Sequence, residues 1–211
     1  MKKKLIYLKI SFFFIIIFVL FSYLISLNIY NNFDLNVILF IQKIIPKSMD
    51  TFFSILSLIG NIETYIFILL LIIIFQKKLK GIITLIIFGL VHVIEIFGKT
   101  FFQHPGPPIS FFRYSFDFVF PSTYLKPGFS YPSGHSLRVS FIGIFLLYLI
   151  NKAEKINLNT KIFLYCIVTL FTILMLFSII SLGEHWLTDV IGGFLLGGSG
   201  VFLAIFLDKS F

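Results

Sequence analysis

Six apolar runs decide what this chain can fold into. They cover residues 10–27, 51–75, 81–98, 133–150, 162–182 and 190–207. About 20 apolar residues in a helix cross a hydrocarbon core of ~30 Å, and the six runs reach or approach that length. Several are unbroken Ile, Leu, Phe and Val, without the alternation of an outer-membrane barrel strand, so a helix is the spanning element that satisfies the backbone. The expected fold class is all-α, an integral membrane bundle of six transmembrane helices in one membrane domain over residues 1–211. Apolar residues make up 58% of the chain and charged ones 12%, about half the ~25% of a soluble domain. Mean hydropathy is +1.03. A soluble globule, a disordered chain and a coiled coil are excluded. A disulfide scaffold is excluded too, because Cys166 is the single cysteine.

Lys2, Lys3 and Lys4 precede the first run, as in a signal peptide. The run is too long for one, and no small-x-small cleavage site follows between Ser26 and Asn32, so it reads as an anchor that stays. The net charge of +8 comes from lysines clustered between apolar runs, a pattern of membrane orientation rather than nucleic-acid binding. With the N-terminus inside, one side holds Lys2, Lys3, Lys4, Lys9, Lys77, Lys78, Lys80, Lys152, Lys155, Lys161 and Lys209. The other side holds Lys43, Lys47, Lys99, Arg113, Lys126 and Arg138. Eleven against six puts both termini in the cytoplasm of a multi-pass plasma (inner) membrane protein. Inner connections are short, at residues 76–80 and 151–161. The outer segment 100–132 is long and holds six of the seven prolines with many Phe and Tyr, which fits an ordered interfacial loop.

Three polar groups fall at the outer ends of these runs: Lys99; Tyr131-Pro132-Ser133-Gly134-His135; and Gly183-Glu184-His185-Trp186-Leu187-Thr188-Asp189. Proline and serine favour a helix start at 132–133, with the amides of Ser133, Gly134 and His135 as free donors for an anion. Gly134 permits close approach to the backbone, and Lys99 adds positive charge. His185 and Asp189 are spaced i, i+4, so a carboxylate can fix one imidazole tautomer and expose the other nitrogen. With His135, two imidazoles face one anion pocket, which points to phosphoryl transfer by nucleophilic catalysis.

At these residues the chain resembles the type-2 phosphatidic acid phosphatase (lipid phosphate phosphatase) family. That family carries Lys, six residues and Arg-Pro; then Pro-Ser-Gly-His; then Ser-Arg, five residues, His, three residues and Asp. Here the second motif is complete as Pro132-Ser133-Gly134-His135. The third supplies Ser178, His185 and Asp189, and the first supplies Lys99 and Pro107. The resemblance runs from about Asp50 to Gly198. Gly106 and Ile179 stand where the family has arginines that grip the phosphoryl oxygens. Arg138, one turn after His135, is the expected replacement, with His104, Arg113 and Lys126 as weaker candidates. The resemblance implies His185 as nucleophile forming a phosphohistidine, His135 as general acid and Asp189 orienting His185. Lys99, Ser133, Gly134 and Arg138 would hold the phosphate, with no metal and no cofactor. The expected partners are a lipid phosphate or diphosphate substrate and membrane lipids. Polyprenyl diphosphate, phosphatidate and phosphatidylglycerophosphate all fit, and an Ile, Phe, Lys and Asn bias typical of AT-rich bacterial genomes leans to the first.

Plainer readings stand beside these. His185 and Asp189 also suit a helix cap, and Lys99 a snorkelling anchor paired with Glu95 at i, i+4. Arg138 also suits a structural ion pair. Glu63 and His92 lie inside spans and read as polar contacts between helices. Gly193 and Gly197 read as a packing stripe, and Trp186 as an interfacial anchor. Two His and an Asp also fit a metal, but Lys99 would repel a cation. The alternative functions are a catalytically inactive homologue that binds lipid phosphates or acts as a membrane partner protein, and a transporter, which would carry its polar groups at mid-membrane.

Overall fold

The computed structural model describes residues 2–75, 81–118 and 129–207. Eight α-helices and no strand occur among the described residues. They are α1 (Lys2–Ser26), α2 (Asn31–Ile44), α3 (Asp50–Ile59), α4 (Ile62–Phe75), α5 (Ile82–Phe101), α6 (Gly134–Lys152), α7 (Leu158–Ser181) and α8 (Leu187–Leu207). The connection 76–80, expected on the inner side, with Lys77, Lys78 and Lys80, the part of the segment 100–132 holding Lys126, and Lys209 lie outside the described residues.

Helices α1, α5, α6, α7 and α8 are each long and apolar enough to span a membrane. The expected span 51–75 is instead two helices, α3 and α4, bent by 55° at a break. The break falls at Gly60-Asn61, where one local hydrogen bond and one tight contact with α6 are seen. Asn61 Nδ2 donates to the carbonyl of Leu58 at 2.9 Å, capping the end of α3. Gly60 lies so close to the His135 ring that a Cβ there would collide with it. The protein is a multi-pass membrane protein, with five such helices among the described residues, or six spans when the bent pair is one.

Helix α2 was not among the expected spans, and its 14 residues are too short to cross a bilayer. It packs by an amphipathic stripe, with Asp34, Ile38 and Ile41 buried.

Helix α8 runs through the middle of the bundle, and its small residues let neighbouring backbones close in. At Gly193 a side chain would run into the carbonyl of Ser133 and stand 3.0 Å from Leu137 N, and at Gly197 it would strike the Leu137 carbonyl. The Gly193–Gly197 stripe is therefore the α6–α8 contact. Gly200 faces Val91 of α5, and Gly198 faces Phe14 of α1. Gly192 makes room for the Tyr131 ring, which is fully buried, stacks on Phe18 at 6.2 Å and shares a 2.8 Å hydrogen bond with Ser22. Burial lifts the Tyr131 phenol above its usual range. This packing draws the start of α6 against the start of α8.

Candidate active site

Three helix ends meet where the motifs predicted. Gly98, near the end of α5, abuts Pro132 so closely that a Cβ would lie 2.7 Å from its ring. Ser133 caps α6, its Oγ accepting the amide of Ser136 at 3.4 Å. The amide of Ser133 donates to the Asp189 carbonyl at 3.0 Å, and Ser136 Oγ donates to the Val190 carbonyl at 2.6 Å. The first turns of α6 and α8 are thus tied together by one main-chain bond and one side-chain hydroxyl. One expectation is corrected here. The Ser133 amide is not free for an anion, because Asp189 already uses it. Gly134 opens the helix, so its N–H stays outside the helical ladder.

His185 lies in the turn before α8, and Asp189 in the first turn of that helix. The His185 amide donates to the Ile179 carbonyl at 3.2 Å, which fixes the turn to the end of α7. Gly183 sits in that turn at φ 72°, pressed against the carbonyl of Phe111, where an L side chain meets both strain and collision. His185 Nδ1 and Asp189 Oδ2 are 3.3 Å apart. The His135 and His185 rings are 6.3 Å apart between centroids, at 58°. Two imidazoles at that separation can address one tetrahedral phosphoryl group.

Asp189 is fully buried and does more than face His185. Its Oδ1 is 3.0 Å from His104 Nδ1. Its Oδ2 accepts the Trp186 amide at 3.0 Å and the hydroxyl of Ser130. Ser130 N donates in turn to the His104 carbonyl at 2.9 Å. His104, a candidate for the missing guanidinium, is therefore engaged with the carboxylate instead. Sequence reasoning missed this partnership because it joins residues 85 positions apart. Trp186 Nε1 donates to the Pro105 carbonyl at 2.8 Å, tying the same outer segment over the turn.

The cationic side of the site is built by α5 and α6. Arg138 is buried, and its Nε donates to the Gly60 carbonyl at 2.8 Å. The break between α3 and α4 matters here, because a helix end leaves carbonyls without intrahelical donors and Arg138 takes one. Its Nη1 lies 2.8 Å from where a Cβ on Gly134 would stand. The guanidinium thus reaches the first residue of α6. Lys99 Nζ is 2.8 Å from Glu95 Oε1, so the expected i, i+4 pair forms, and Glu95 is buried within it. The same Glu95 oxygen would collide with a Cβ on Gly134. His92 Nδ1 donates to the Phe88 carbonyl at 2.7 Å, and its Nε2 is 3.9 Å from Glu95 Oε2, so these contacts lie within α5 rather than between helices as the sequence suggested.

The remaining candidates lie elsewhere. Arg113 pairs with Asp50 at 2.6 Å and caps the carbonyls of Gln42 and Ile45, so it braces α2 and α3 rather than the site. Ile179, where the family has an arginine, is fully buried among Ile41, Ile180 and Val190. Lys126 is outside the described residues.

A family model described as the PAP2 superfamily matches residues 64–209. The chain belongs to the PAP2 superfamily. Among curated proteins it is 28% identical over 137 residues to phosphatidylglycerophosphatase B of Bacillus subtilis (strain 168), covering 65% of this chain and 60% of that one. The matched stretch thus spans less than two thirds of that relative. It is 29% identical over 159 residues to undecaprenyl-diphosphatase of Sulfolobus acidocaldarius, covering 74% and 68% of the two chains. Two crystal structures share the fold. A transmembrane PAP2-type phosphatidylglycerolphosphate phosphatase from Bacillus subtilis has a TM-score of 0.74 at 22% identity, covering 92% of this chain and 94% of its own. Aquifex aeolicus LpxE has a TM-score of 0.61 at 24% identity, covering 81% and 93%.

Proposed function

We propose that this PAP2 member is a membrane phosphatase that hydrolyses a lipid phosphate or polyprenyl diphosphate through a phosphohistidine at the extracytoplasmic face. The carrying observation is the pair of imidazoles, with centroids 6.3 Å apart, beside a buried guanidinium and a lysine. The names of the relatives support the substrate class, since one is a phosphatidylglycerophosphatase and another an undecaprenyl-diphosphatase.

His185 turns Nδ1 to Asp189, which leaves Nε2 to attack phosphorus. A P–N bond forms as the P–O bond to the lipid breaks. His135 gives its proton to the departing oxygen. Water, deprotonated by His135, then attacks the phosphohistidine, and inorganic phosphate leaves with His185 neutral again. Asp189 stabilises the imidazolium that develops on His185. His104 and Ser130 hold that carboxylate still. Lys99, the N–H end of α6 at Gly134, and Arg138 stabilise the phosphoryl oxygens, with Arg138 standing in for the arginines absent at 106 and 179. A single-domain bundle with both termini cytoplasmic puts the helix ends that carry this site on the outer face, where water and laterally diffusing lipid meet.

The inactive alternative draws on Gly106 and on the buried Ile179. Arg138 at Gly134 speaks against it. The test is phosphate release from several lipid phosphates by detergent-purified protein. Wild type is expected to release phosphate, and His185→Ala to lose at least about 10³-fold in rate. Unchanged release by that variant contradicts the nucleophile. Arg138→Ala is expected to lose about 10²–10³-fold, and full activity in it rules out the replacement.

A further inference from the structure

The phosphoryl seat holds a carboxylate of the protein's own. Gly134 is the residue whose missing side chain lets an anion reach the start of α6. Glu95 Oε1 lies against that glycine, close enough to clash with a Cβ there, and Arg138 Nη1 is 2.8 Å from where that Cβ would stand. The same oxygen takes the Lys99 ammonium at 2.8 Å, and Glu95 is only 5% exposed. His92 Nε2 stands 3.9 Å from its other oxygen. One internal anion is thus set between the two cations assigned to the phosphate, and it reduces the seat from two positive charges to one.

We propose that Glu95 is a specificity-determining residue, an internal anion that holds this seat against free phosphate and yields it to a phosphoryl group anchored in the bilayer by an apolar tail. The inference rests on the phosphatase reading above. An incoming phosphate must displace the carboxylate from Lys99 and Gly134. A soluble phosphate has only its own charge for that exchange. A lipid phosphate brings the partitioning of its tail and the high effective concentration of a head confined to the interface. After hydrolysis the tail is severed from the phosphate. Glu95 then returns to Lys99 and helps expel the product.

The test is Glu95→Gln, which keeps size and polar contacts and removes the charge. At an effective dielectric near 20, removing a like charge about 5 Å from an anion strengthens binding by at least about tenfold. The expected result is a Ki for inorganic phosphate lowered by about that factor, and a preference for lipid phosphate over phenyl phosphate, taken as the ratio of kcat/KM values, that falls in parallel. Glu95→Asp, which withdraws the carboxylate by ~1.5 Å and keeps the charge for Lys99, is expected to move both readouts the same way by less, and it carries the test if the glutamine variant does not fold. An unchanged or raised Ki, or an unchanged preference, in the folded variants overturns the proposal while wild-type phosphate release keeps the phosphatase reading. If wild type releases no phosphate from any lipid, that reading fails. Calorimetric titration with inorganic phosphate then decides the role of Glu95 alone: tighter binding by Glu95→Gln supports it, and equal or weaker binding overturns it.

Discussion

At the scale of single residues, the site combines pairs one helical turn apart with partners far along the chain. Asp189 shows this most clearly. It is buried, and one oxygen meets His104 while the other meets His185, Trp186 N–H and Ser130. A carboxylate so held cannot swing away from His185. Removing the imidazole in His104→Ala is expected to lower kcat by about tenfold with KM nearly unchanged, because His104 acts on Asp189 rather than on the phosphate. A rise in KM without loss of kcat would instead make His104 a phosphate ligand. The motifs made His135, His185, Asp189, Lys99 and Ser133 legible in the sequence, since their spacing is local and their chemistry specific. His104 and Ser130 were hidden, because nothing local ties an outer-segment histidine or serine to a carboxylate on the last helix. Glu95 was legible only as the i, i+4 partner of Lys99. Its place against Gly134 depends on how α5 meets α6.

At the scale of elements, hydropathy located the helices and missed where one breaks and where a short one docks. The run 51–75 is apolar on average, yet Gly60 and Asn61 end α3, and the break gives Arg138 its carbonyl. Helix α2 is marked by Asn31, Asn32, Asp34 and Asn36 and so carries no span signal. Its role is to bring Asp34 to the start of α8, where Thr188 donates its amide at 3.0 Å and its hydroxyl at 2.6 Å. Burial pushes the Asp34 carboxyl above its ordinary value, outweighing those two hydrogen bonds. The sign follows directly. The fold prefers the protonated acid, so its stability is full below the ordinary carboxylate pKa, falls as pH rises through the raised native value, and stays lower above it. Thermal unfolding followed upward from about pH 4 is expected to show that decline, and Asp34→Asn is expected to flatten it. A wild-type profile that rises across the same interval contradicts the assignment.

At the scale of the whole molecule, a lipid phosphatase must join an apolar route for the tail to a polar, water-facing seat for the head. In this bundle, glycines of α8 stack against α6 and α5, and three helix ends meet at the site proposed for the head. Family membership and the two rings beside a lysine and a guanidinium support one chemical claim, that His185 carries the phosphoryl group during turnover. The most direct measurement is to quench the purified protein during turnover of a lipid phosphate and map the phosphoryl group by mass spectrometry under alkaline conditions, which preserve the P–N bond. The account predicts a phosphohistidine at His185 that is absent in His185→Ala and accumulates when His135→Ala slows its hydrolysis. Turnover with no phosphoenzyme in any of the three proteins, or a phosphoryl group on another residue, would contradict it.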